Sequence, residues 1–177
     1  MAREVVIQVR GMEVVVEYLE ASAVKAGNMH PIWPSIIRRM EQIESEQFAT
    51  EGARSGNPWA PLSENYMWGK FKAGLSLDIM RATEALEEAL TGPGEGATRY
   101  ETDDTLVFGA DLPQFAYHQD RPSDAPYPER LPIDLTARDA LQFSEMILGY
   151  VAGTVNRAGL RITPGTGRFA PGGSVFS

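Results

Sequence analysis

Apolar residues change period several times along this chain, and each change predicts an element. Glu4-Val5-Val6-Ile7-Gln8-Val9-Arg10 is β-branched and stops at Gly11, which reads as a strand and a turn. Val14-Val15-Val16-Glu17-Tyr18-Leu19 suits either a second strand, favoured by local propensity through Val16, or a helix; Gly27-Asn28 ends it. From Pro31 to Thr50, Trp33, Ile36, Ile37, Met40, Ile43 and Phe48 recur at helical spacing, with two prolines in the first turn. Arg38, Arg39, Glu41, Glu44 and Glu46 form the opposite side, read as solvated, and Gly52 stops the helix ahead of a flexible stretch, 53–57.

Asn57-Pro58-Trp59-Ala60-Pro61-Leu62 is a stiff connector, because two prolines fix φ and push the residues before them toward extended geometry. Trp59, Leu62, Tyr66, Trp68 and Phe71 concentrate large apolar groups there, which predicts a packed corner between two helices. A second helix is expected over 77–90, capped by Ser76, with Ile79, Met80, Thr83, Leu86 and Leu90 on one stripe and Gly92-Pro93-Gly94 as its stop. Segments 97–101 and 105–109 alternate as a hairpin with a free edge. Residues 111–132 hold five prolines and little periodicity, as in an interaction arm. The last helix is expected over 134–155, with Thr136 and Asp139 as a capping box and an apolar face of Leu141, Phe143, Ile147, Leu148, Val151 and Val155 broad enough for burial on more than one side.

The sum is an α+β domain over 1–156, a small antiparallel sheet packed against three to four helices, followed by an extended C-terminal arm, 157–177. That arm carries five glycines, two prolines and three arginines without an acid, and reads as either a disordered tail or a segment that orders on a neighbour through anchors such as Phe169 and Phe176. Its basic charge suits docking on an otherwise acidic body.

Composition narrows the function more by exclusion. The 177 residues carry 16 Lys and Arg against 24 Asp and Glu, a net charge of −8, which opposes general affinity for nucleic acid. The longest aliphatic runs are far below the ~20 residues a membrane span needs, and the start lacks the apolar stretch of a secretory signal, so assembly inside a cell is expected. Without cysteine there is no disulfide, thiolate ligand or cysteine nucleophile. His30 and His118 are the only histidines and have no companion at metal-ligand spacing, so neither a metal nor a cofactor is expected. No nucleophile-elbow or phosphate-cradling loop occurs either; Gly92-Pro93-Gly94-Glu95-Gly96 puts Pro and Glu where free N–H groups are needed.

One resemblance gives these pieces a common sense. A helix ending Phe48-Ala49-Thr50-Glu51-Gly52, the Trp59-Ala60-Pro61-Leu62-Ser63 step, a lysine, and a helix of pattern I-M-R-x-T-x-x-L-x-x-A-L from Ile79 together resemble the bacteriophage virion morphogenesis family, which includes Mu-type tail-completion proteins. Tyr117-His118-Gln119 and the run through Pro126, Pro128, Arg130, Pro132, Asp134-Leu135-Thr136 and Asp139 are similar to later steps of that family, so the resemblance spans roughly 3–155. Two positions depart: Glu84 stands where the family commonly has glycine, and Asp120-Arg121 where it commonly has Phe-Gly.

The resemblance favours a helix leading to Lys25 in the ambiguous segment. It implies a virion protein of the neck or upper tail, not an enzyme: a homo-oligomeric ring, six-fold in the family, that terminates the tail tube protein and docks it to the head-tail connector or stopper. Genomic DNA would pass without specific binding, kept from sticking by an acidic lining. Trp59, Pro61, Leu62 and Tyr66 are expected to hold the two helices at their angle, and Tyr117 and His118 to fix the proline-rich arm. Arg81 serves an internal carboxylate or the next subunit, the internal one preferred. The alternative from another class is a virion-associated hydrolase using His118 with Asp120 or a glutamate of the first long helix.

Overall fold

The computed structural model describes residues 12–153, with side chains from Val15 onward. The strand expected at 4–10 and the arm at 157–177, with Phe169 and Phe176, lie outside the described residues. Six helices and one hairpin occur in the order α1 (Met12–Ala26), α2 (Trp33–Ala49), α3 (Glu64–Lys72), α4 (Ala85–Thr91), β1 (Ala97–Glu101), β2 (Leu106–Ala110), α5 (Pro113–Gln119) and α6 (Ala137–Ala152). The fold is α+β, with a two-stranded antiparallel sheet whose register runs from Ala97 opposite Ala110 to Glu101 opposite Leu106.

α2 is the axis, because its apolar residues stay on one stripe for four turns and two layers can pack against it. Its first half, Trp33, Ile36 and Met40 with Met29 just before, packs on Phe143, Met146, Ile147, Tyr150 and Val151 of α6. Its end, Phe48, joins Trp59, Ile79, Leu86 and Leu90 in a second cluster. Phe108 and Ile133 touch both clusters, so the two halves share one interior. The hairpin tip is pinned to the α1–α2 corner, where the Trp33 indole donates to Thr102 O at 2.8 Å and the Met29 amide to Asp103 O at 2.7 Å. Lys25 donates to Tyr150 O at 2.9 Å and the Tyr150 hydroxyl to Asn28 O at 2.7 Å, fixing α1 on α6.

Four expectations need correction. The helix expected over 77–90 is helical only from Ala85, and Met80 and Glu84 adopt φ of +60° and +59°. Bonds from outside the segment replace its own helical ladder: the Glu51 carboxylate accepts the Ile79 amide at 3.1 Å and Asp78 O accepts the Lys70 ammonium at 2.7 Å. The arm 111–132 contains α5, with Pro113 in its first turn, and Gln119 exchanges two hydrogen bonds with the Ile133 backbone at 3.0 and 3.2 Å. Stretch 53–57 is a single 3₁₀ turn between two left-handed glycines, locked by Arg54, which donates to Glu46 and Asp139. Glu44, assigned to the solvated side of α2, is fully buried, because it falls on the i,i+4 row of Ile36, Met40 and Phe48 while Arg38 and Glu46 stay exposed.

Candidate functional site

The connector behaves as its prolines dictate, and Trp59 is its pivot. The Trp59 amide donates to Glu51 O at 2.7 Å, its indole donates to Leu131 O at 3.0 Å, and its ring meets Phe48 edge-on at 5.3 Å. The chain turns beneath it at Gly52, whose φ is +85° and where an added Cβ would lie 2.6 Å from Trp59 Cδ1, so only glycine fits. Arg130 clamps the connector from the other side, donating to Ala60 O at 2.8 Å and Pro61 O at 3.0 Å.

Between connector and α5 opens a cleft of about 540 Å³. It is lined by Pro61, Leu62 and Tyr66, by Tyr117, His118 and Tyr127, by Met80 and Leu86, and by Lys70 and Arg130. Five of the residues singled out in the sequence therefore meet here. Tyr117 and Tyr127 stack at 4.0 Å between centroids, and the Tyr127 hydroxyl donates to Tyr117 O at 3.1 Å. His118 stands edge-on to both tyrosines. Burial, then the Arg130 charge, lowers its pKa from the ordinary value, and its Nδ1 is buried without a hydrogen-bond partner. A neutral, unpartnered imidazole between tyrosines and a guanidinium has no carboxylate to orient it, and none of the ion pairs among the described residues joins His118 to Asp120 or to a glutamate of α2. Among the described residues no three His, Cys, Asp or Glu side chains come together as a metal set, and no helix is long and apolar enough to cross a membrane.

Arg81 reaches an internal acid: it donates to Glu87 at 2.5 Å and lies 3.7 Å from Asp78. A second charged cluster sits under the start of α6. The Asp139 carboxylate accepts from Arg54 and from the Thr136 amide and hydroxyl at 2.9 and 2.6 Å, completing the capping box. Burial works to raise its pKa, but these hydrogen bonds prevail and hold it at about 2. Its neighbour Glu44 has neither oxygen hydrogen-bonded, and burial pushes its pKa up to about 8 against the pull of Arg54.

The surface that sequence reasoning missed is α3. Five large apolar groups in 59–71 predicted a packed corner, yet only Trp59 is buried and Leu62 half-buried. Tyr66, Trp68 and Phe71 are 56%, 61% and 63% exposed, and Lys70 is the one buried residue of the helix. Trp68 and Phe71 meet edge-on at 5.7 Å and, with Met67 and Leu77, frame a shallow hollow of about 400 Å³. The signal was present: Ser63 is a capping residue, bonded to the Tyr66 amide, and 64, 67, 68 and 71 share one helical face.

Compared with known proteins, the chain matches no protein family, no curated protein and no solved structure.

Proposed function

We propose that the chain is a structural component of a tailed-phage virion, acting at the neck or upper tail as a ring that completes the tail tube and docks it to the head connector. The observation that carries this reading is α3, a helix with an apolar face held out by a rigid connector and left without a partner among the described residues. A helix of nine residues is marginal in water by itself, and its exposed Trp68 and Phe71, with Met67 and Leu77, form the kind of contiguous apolar patch that marks a protein interface. The motif residues of the resemblance also sit where rigidity is made: Gly52 under Trp59, Arg130 across the connector, Asp139 at the α6 cap. Glu84 supports it from its departure, since it occupies a left-handed φ, the conformation glycine serves best, at the position where the family commonly has glycine.

The mechanism is geometric. Copies associate head to tail and the rotation closes the ring, which stops tube growth on one face and presents a docking surface on the other. A net charge of −8 lets DNA pass without adhering. Light scattering and electron micrographs of the purified chain should show closed multimers, and labelled chain should be found at the neck or tail end of intact particles. A monomer that never enters particles sinks the proposal.

A further inference from the structure

α6 explains its own broad apolar pattern in an unexpected way. Phe143, Met146, Ile147, Tyr150 and Val151 pack inward, but Leu141 and Leu148 are 61% and 65% exposed, two turns apart on the outside, with exposed Glu145 between them. That outer stripe runs about 10 Å along the helix, within the ~13 Å length of α3. The α3 face offers the complement: Trp68 and Phe71 in place of the leucines, with exposed Lys72 four residues from Trp68.

We infer that α3 of one copy docks on the outer stripe of α6 of the next copy, Trp68 and Phe71 against Leu141 and Leu148, with Lys72 opposite Glu145. This rests on the reading above that copies associate. One such contact, repeated, covers the α3 and α6 surpluses of every subunit and leaves the exposed Val16, Leu19 and Val24 of α1 outside it, whereas a two-fold pairing of α3 with α3 leaves Leu141 and Leu148 in water as well. Because the two patches lie on different elements the contact is heterologous, the type that closes rings. The opposed Lys and Glu set register and direction rather than affinity.

The chain contains no cysteine, so introduced thiols report cleanly. The Lys72→Cys, Glu145→Cys double variant, oxidised in the full-length chain, should give a ladder of disulfide-linked multimers, and each single variant only monomer. Lys72→Glu or Glu145→Lys alone should weaken association roughly two- to fivefold, the scale of a surface ion pair, and the combined reversal should restore it. Both side chains are exposed, so melting temperatures should stay unchanged and show that folding is intact. Linkage of Lys72→Cys to itself, or to Glu17→Cys on the outer side of α1 in place of Glu145→Cys, overturns the inference. So does a ring that forms without the Lys72–Glu145 crosslink, although that ring leaves the virion reading standing. A chain that is monomeric and absent from particles removes both.

Discussion

At the scale of single residues, two buried acids are driven in opposite directions. Asp139 accepts three hydrogen bonds and titrates at about 2, below its ordinary 3.8. It therefore stabilises the fold above pH 3.8, and that contribution disappears as the pH falls toward 2. Glu44 accepts none and titrates at about 8 against an ordinary 4.5, among Arg54, Asp139, Arg99 and Asp134. The folded state holds its proton where the unfolded chain releases it, so stability falls as the pH rises from 4.5 to 8. Chemical denaturation across pH should show the wild type losing on the order of 3 kcal/mol over that span. Glu44→Gln should flatten the alkaline limb and leave the acid limb, which belongs to Asp139, in place; an unchanged alkaline limb would mean that Glu44 is not its source. Helical spacing places Glu44 between Met40 and Phe48 on the buried row of α2 and leaves Glu46 off it. Tertiary contact then sets its surroundings, with Arg54 brought over from the 3₁₀ turn and Asp139 from the start of α6.

At the scale of elements, local rules succeeded where an element's bonds are its own. α2, α6 and the hairpin formed within a few residues of their predicted bounds, because periodicity, the Thr136–Asp139 capping box and the Thr102–Thr105 turn all lie within short stretches of sequence. Segment 77–84 failed the same rules, since its polar groups are claimed by Glu51 and Lys70 from earlier elements. The strain of that choice is visible at Glu84, φ +59°. Glu84→Gly should therefore stabilise the fold by about 0.5–1 kcal/mol and raise the melting temperature by a few degrees, against the usual effect of adding glycine. A lowered melting temperature would show that the left-handed turn is not strained. α3 is the reverse case: its helical signal was legible, but the rings were read as core because sequence carries no record of which side a helix turns outward.

At the scale of the whole molecule, charge and apolar surface oppose each other. In the proposed ring, copies of net charge −8 repel, while the proposed α3–α6 contact attracts over short range. Screening should decide between them: sedimentation velocity should show association strengthening as salt rises from ~0.01 M, where the Debye length is about 30 Å, to ~0.15 M, where it is about 8 Å. Association that weakens steadily over this range would mean that ion pairs, not apolar contact, hold the assembly. The sequence by itself determined the α+β class, the main helices and hairpin, the stiffness of the connector and the lack of cysteine, since these follow from period, proline geometry and residue inventory. Only the tertiary structure decided that Tyr66, Tyr117, His118 and Arg130 share a cleft and that Trp68, Phe71, Leu141 and Leu148 keep their solvent. Those outcomes depend on which faces of distant segments meet, and a chain's local pattern states that a side chain is apolar without stating what will cover it.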